Sequence, residues 1–372
     1  MSLNTHAVDS VPAWAWIAPA AACALIAAMF SGLVPASSGM VLGLAALLLG
    51  AAVFASVHHA EIIALRVGEP YGSIILAIAV TVIEVALIVS IMISAKAGSE
   101  VLARDTVFAT VMIVLNGIVG LCLMIGGARH HVQSFETNAA AAALSVLGTL
   151  AVITLVLPNY TLTAPGPVYA PSQLIFVGVF SILLYFVFLF VQTIRHRDYF
   201  LVDTAAAGSA DAESLEAAVP STKTTLVSAG LLVLSLVAVV LLAKTLSPWL
   251  EQAVSDAKLP KAFVGVVIAA IVLLPEGLAA IAAARLNRLQ TSLNLALGSA
   301  MATIGLTIPI VGMVALVRGQ PMTLGLAPAE MVLLVLTLFI STVTLATGRT
   351  TILQGAVHLV IFAVFLLLAA VP

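Results

Sequence analysis

The sequence predicts an all-α integral membrane protein with about eleven transmembrane helices: one N-terminal helix, then two inverted sets of five. Three observations predict it. The 372 residues hold only 14 Lys and Arg and 16 Asp and Glu, 8% charged, against 62% hydrophobic residues and a mean hydropathy of +1.23. A soluble domain carries roughly 25% charged residues, and water cannot be kept from so much apolar surface without lipid. Eleven apolar runs then approach or exceed the length of about 20 residues that spans the hydrocarbon core. Finally, one long polar connection leaves five runs before it and five after it once the first is set aside. An odd number of spans in each half makes the halves enter the membrane in opposite directions, the inverted-repeat pattern of secondary transporters.

The runs are 13–34, 40–57, 71–95, 105–127, 138–157, 172–194, 223–243, 262–284, 291–317, 327–346 and 351–371. The first is expected to be retained, because MSLNTHAVDSVPAWAW has no Lys or Arg to form a signal n-region. The second is the shortest and ends at His58, His59 and Glu61, an interfacial group or a pH-sensing one. Breaks carry Pro, Gly or charge: GEPYG at 68–72, KAGSEVLARD at 96–105, NYTLTAPGPVYAPS at 159–172. No alternating segments of about 10 residues suggest a β-barrel. In domain terms the chain reads as an N-terminal helix (1–38), a first half (39–195), an acidic connection (196–222) and a second half (223–372). That connection bears Asp198, Asp203, Asp211, Glu213 and Glu216. It is either a solvated linker or a segment that gathers cations at a pore mouth.

Several function classes drop out. A net charge of −2 provides no basic face for nucleic acid. Cys23 and Cys122 lie in apolar runs, which suits neither a disulfide framework nor a zinc site. No phosphate-cradling loop is present, so neither a nucleotide nor a cofactor is expected. No Ser–Lys, paired-Asp or His–metal arrangement supports an intramembrane enzyme. The expected partners are the lipid bilayer, metal cations and protons. With the N-terminus inside, the inner connections hold 8 Lys and Arg and the outer ones 6. The positive-inside rule therefore places the N-terminus and the acidic loop in the cytoplasm.

Almost every charge lies at a span end, except Glu84 and Glu276. Glu84 is 13 residues past Tyr71 and 12 before Lys96; Glu276 is 15 past Lys261 and 9 before Arg285. A charge at the bilayer centre costs at least about 2.5–3.5 kcal/mol. Each glutamate is in the second span of its half, so a pseudo-two-fold would bring both toward the midplane. Facing carboxylates form a hard-oxygen site for Ca²⁺, or for a smaller cation with a proton. A carboxylate that holds either a proton or a cation is the physical core of proton/cation antiport. The alternative is a pair of protonated glutamates that merely join helices.

Supporting candidates follow from spacing. Thr81 is one turn before Glu84, with Ser90 and Ser94 further along. Asn116 lies mid-span, where an amide needs a partner, and either supports Glu84 or bridges helices. Pro275 in LLPEGLAA is expected to kink or break its helix and free carbonyls for an ion. In GSAMATIGLTIP (298–309), Ser299 and Thr303 offer hydroxyls and Pro309 is expected to break the helix. Glu330 is either a helix-start carboxylate complementing the dipole or part of the ion path. His358 is either a hydrogen-bonded core residue or a proton relay.

The segments GEPYGSIILAIAVTVIEVALI (68–88), VVIAAIVLLPEGLAAI (266–281) and NLALGSAMATIGLTIPIV (294–311) resemble the two α-repeats of the cation/calcium exchanger superfamily. The likeness is greatest to its bacterial ChaA-type calcium/proton antiporters. RDTVFATVMIV, PAEMVLL and ATGRTTILQGAVHL extend it over most of the chain from about residue 54. The resemblance implies α-repeats at about 68–127 and 262–317 and alternating access in a bacterial inner membrane. It implies exchange of Ca²⁺, Na⁺ or K⁺ for H⁺, with Glu84 and Glu276 as the exchanging carboxylates. Better-known calcium/proton exchangers place Asn three residues before each glutamate, His after the second, and Gln in the following repeat. Those positions here are Thr81, Leu273, Gly277 and Ala302. Calcium/proton exchange is the first expectation; sodium or potassium exchange by the same mechanism is the main alternative, and a passive cation channel a lesser one.

Overall fold

The structure is a computed structural model that describes residues 11–35, 38–68, 71–94, 101–200, 219–320 and 322–372. Asp203, Asp211, Glu213 and Glu216 of the acidic connection lie outside the described residues. The described chain is all-helical apart from a small hairpin. Ten helices are long and apolar enough to cross a membrane: α1 (Ala13–Phe30), α2 (Gly39–Val67), α4 (Leu102–His130), α5 (Thr137–Tyr160), α6 (Pro171–Arg195), α7 (Thr222–Asp256), α8 (Ala262–Arg285), α9 (Leu289–Val317), α10 (Pro328–Leu345) and α11 (Ile352–Ala370). Between α2 and α4 runs the 24-residue α3 (Tyr71–Ser94), the helix that covers the expected run 71–95.

Nine helices end within four residues of the apolar runs. Two run further. α2 continues ten residues past position 57 and α7 thirteen past 243. His58, His59 and Glu61 thus lie inside α2 rather than at its end. Pro19 in α1 has no N–H, so the carbonyl of Ala15 loses its helical partner. The fully buried His59 donates to that carbonyl from Nε2 at 2.9 Å. One helix's proline is satisfied by the next helix's histidine.

Contacts divide the chain into two compact units, each drawing on both sides of the acidic connection. The first comprises Met1–Ser90 and Val202–Trp249, the second Ile91–Leu201 and Leu250–Pro372.

In the first unit, Gly68 and Gly72 flank the connection between α2 and α3. Gly68 ends α2 at φ +75°, a conformation that side chains disfavour. Gly72 lets the first turn of α3 rest on the last turns of α2, since a Cβ there would meet the Ala64 carbonyl oxygen at 2.6 Å. Arg66 donates to the Pro220 carbonyl at 3.1 Å and to Thr222 Oγ1 at 3.0 Å, tying the end of α2 to the start of α7.

In the second unit, α4 is the central helix. Lipid provides no hydrophobic drive between helices, so close backbone approach at small residues supplies the packing. α11 lies antiparallel on α4. Gly117 meets Phe362, Gly120 meets His358, and a Cβ at Gly355 would reach the Met124 Cα at 2.7 Å. α8 lies parallel to α4. Gly265 abuts the Thr106 amide, and about three turns later Gly277 abuts Ile118. α9 lies antiparallel on α6 through Gly305 against Tyr185 and Gly312 against Leu174. Strands β1 (Gln133–Ser134) and β2 (Arg349–Thr350) pair antiparallel and join the turn after α4 to the turn before α11. Gln133 also donates to the Ala284 carbonyl and to Asn287 Oδ1, each at 3.0 Å. Gly355→Ala is expected to cost about 1–3 kcal/mol by overpacking, read as a lowered unfolding temperature in detergent. An unchanged temperature would show that α4 and α11 separate freely.

Candidate ion-binding site

The two glutamates sit at matching places in matching helices. α3 and α8 are each 24 residues long. Glu84 is the fourteenth residue of α3 and Glu276 the fifteenth of α8. At 1.5 Å per residue each lies roughly 14–21 Å from either helix end, near the middle of a hydrocarbon core about 30 Å thick. Glu84 is 3% exposed and Thr81, one turn earlier, 4%. Both carboxylate oxygens of Glu276 are buried. Glu84 belongs to the first unit and Glu276 to the second.

The next helix of each half repeats the match. α4 and α9 are each 29 residues long, and each contains one π-turn in its middle, Ile113–Ile118 in α4 and Thr303–Thr307 in α9. α5 and α6 carry π-turns as well, Val152–Val156 and Val191–Arg195, but toward their C-terminal ends rather than mid-helix. The expectation of broken helices is corrected. Neither Pro275 nor Pro309 breaks its helix, since α8 and α9 run on through them. In α9 the π-turn Thr303–Thr307 ends two residues before Pro309. In α8 the proline withholds the hydrogen bond that the Ile271 carbonyl would otherwise receive, one turn before Glu276.

The other candidates divide. Thr303 donates to the Ser299 carbonyl at 3.1 Å, so these two share one turn leading into the α9 π-turn. Asn116 and His358 come together: His358 Nδ1 lies 3.1 Å from Asn116 Oδ1, and Asn116 also donates to Thr337 Oγ1 at 2.9 Å. His358 Nε2 lies 3.2 Å from Thr344 Oγ1. Asn116 thus bridges α4 to α10 and α11, and His358 is a hydrogen-bonded core residue. Glu330 accepts from the Ala327 amide at 2.9 Å, the helix-start role its position suggested.

Some polar groups were missed. Asp105, 5% exposed, is gripped by Arg104 through Nη2 at 2.7 Å and Nε at 2.8 Å. Arg104 donates onward to the Gly325 carbonyl at 3.2 Å. Asp105 and Glu330 line one cavity of about 160 Å³ with Phe108, Val266, Leu333 and Phe365. In the sequence the Arg–Asp pair looked like ordinary charge at a span end. Thr307 was also overlooked; its hydroxyl is fully buried in the α9 π-turn and has no hydrogen-bond partner among the described residues. A buried hydroxyl two residues before a proline is a signal that could have been weighed.

The described residues form a multi-pass helical protein with one mid-helix carboxylate in each half, a layout that secondary transporters share. The model of the sodium/calcium exchanger protein family matches residues 37–194 and 227–371, and the chain belongs to that family. It is a cation/proton or cation/calcium exchanger of the cation/calcium exchanger superfamily. A protein of Sinorhizobium fredii (strain NBRC 101917 / NGR234) with the provisional name ionic transporter y4hA is 55% identical over 362 residues, 97% of each chain. The sodium-potassium/proton antiporter ChaA of Escherichia coli (strain K12) is 35% identical over 314 residues, 84% of each chain. The solved structure of native YfkE shares the fold at a TM-score of 0.72 and 18% identity, covering 96% of this chain and 100% of that one.

Proposed function

We propose that this protein is a cation/proton antiporter of a bacterial inner membrane, with Glu84 and Glu276 as the carboxylates that hold either the cation or a proton. The observation that carries the reading is the internal match: one glutamate at the middle of a 24-residue helix in each half, each followed by a 29-residue helix with a central π-turn. Charged, the carboxylates take a cation from the cytoplasm. After the access changes sides, protons replace it, and the neutral carboxyls return at little electrostatic cost. The proton gradient supplies the energy, with no nucleotide and no cofactor. The N-terminus and the acidic connection are cytoplasmic in this reading.

Ca²⁺ is the first substrate, because each carboxylate is a hard, negative oxygen ligand of the kind that cation takes. A second reading, Na⁺ or K⁺, has its own support. The buried Leu273 and Ala302 offer no side-chain oxygen where better-known calcium exchangers carry amides. A relative at 35% identity is named a sodium-potassium/proton antiporter. The test is proton release from acidified proteoliposomes on separate addition of Ca²⁺, Na⁺ and K⁺. Release with Ca²⁺ supports the first reading. Release with Na⁺ or K⁺ alone keeps the antiporter and replaces the ion. Silence with all three removes the proposal.

A further inference from the structure

Four polar side chains form one network in the interior of the second unit. Asn116 and Thr337 are fully buried, His358 is 1% exposed and Thr344 5%. The hydrogens can be placed from the partners. Asn116 Oδ1 only accepts, so His358 carries its proton on Nδ1. Nε2 of the neutral ring then accepts from the Thr344 hydroxyl. The Asn116 amide donates to Thr337, whose hydroxyl points to Met112 Sδ at 3.4 Å. The chain of donors therefore passes from Thr344 of α10 to His358 of α11, on to Asn116 of α4, back to Thr337 of α10 and last to Met112 of α4. The imidazole reaches α4 because Gly120 leaves it room; a Cβ there would lie 3.0 Å from the His358 Cβ.

The network ends at a particular place. Asn116 is inside the π-turn Ile113–Ile118. Ile118, the last residue of that turn, packs on α8 where a Cβ at Gly277 would stand 3.2 Å from its Cδ1. Gly277 is the residue after Glu276. A widened helical turn can settle in more than one arrangement, and an amide held from both ends selects one. An aliphatic cluster would fill the same space, but it would not set the turn's orientation.

We propose that His358 and Asn116 are positioning residues of the exchanger. By hydrogen-bonding the π-turn of α4, they set where α8 rests and hence where the Glu276 carboxylate stands for its cation. This rests on the assignment of Glu276 made above. Partners behind a metal-binding group typically contribute 10–100-fold to affinity.

The experiment measures proton release from proteoliposomes against the concentration of whichever of Ca²⁺, Na⁺ or K⁺ drives the wild type. The proteins are wild type, His358→Leu, His358→Asn, Thr344→Val and Glu276→Gln. His358→Leu is expected to raise the half-saturating concentration at least about tenfold with the maximal rate within twofold. His358→Asn, whose amide can still donate to Asn116, should recover most of the affinity. If His358→Leu does not insert, Thr344→Val gives the same reading with a smaller rise. Wild-type affinity in an inserted His358→Leu or Thr344→Val overturns the proposal. So does loss of maximal rate alone, or equal loss in the Leu and Asn variants. Glu276→Gln separates the levels: if it still exchanges, the site assignment falls and this inference with it. If it is silent while His358→Leu behaves as wild type, only the inference falls.

Discussion

Glu84→Gln and Glu276→Gln are each expected to give a protein that inserts, folds and releases no protons above background when a cation is added. The amide keeps the size and most of the hydrogen-bonding capacity of the carboxyl. It loses the charge that holds a cation and the site that holds a proton, so both half-reactions stop together. Stability should not suffer, because a charge near the membrane centre costs at least about 2.5–3.5 kcal/mol and the amide avoids it. Both residues lie mid-helix in helices of equal length, so the two variants should behave alike. Proton release measured beside unfolding temperature in detergent checks both parts. Wild-type exchange in either variant would mean that its glutamate only joins helices.

Arg104→Met is expected to have the largest effect on stability. It leaves Asp105 buried beside an apolar cavity without its guanidinium partner. Removing one member of a buried ion pair costs about 3–5 kcal/mol, whereas replacing both members with apolar residues is often neutral or stabilising. The double variant Arg104→Met with Asp105→Leu should therefore recover most of the loss. Thermal unfolding of the three proteins in one detergent measures it. A single variant as stable as wild type would show that water reaches Asp105 freely.

The spans were legible because an apolar run of about 20 residues has few other physical meanings. Their ends were less so wherever polar residues found partners from another helix. His58 and His59 looked like the close of a span, yet α2 continues past them, and His59 serves the carbonyl that Pro19 orphans in α1. That bond joins residues 44 positions apart, beyond any local pattern. Pro275 and Pro309 misled for a related reason. The sequence shows the missing donor, but not that α8 and α9 run on through both prolines. Glu84 and Glu276 stood out because isolated mid-span charges are costly and rare. Asn116 and His358 each stood out as expensive polar residues. Their pairing did not, since 242 positions separate them. Asp105 was hidden by its neighbour: an Arg–Asp pair at a helix start reads as surface charge until the fold buries it.

The central claim is coupling, that a cation moves one way only as protons move the other. Cation uptake and proton release measured simultaneously in the same acid-loaded proteoliposomes test it most directly. Exchange predicts that the two fluxes begin together, keep a fixed ratio across cation concentrations, and vanish together when Glu276 is replaced by Gln. Cation uptake that continues with no proton release would contradict the account and make the protein a passive path for cations.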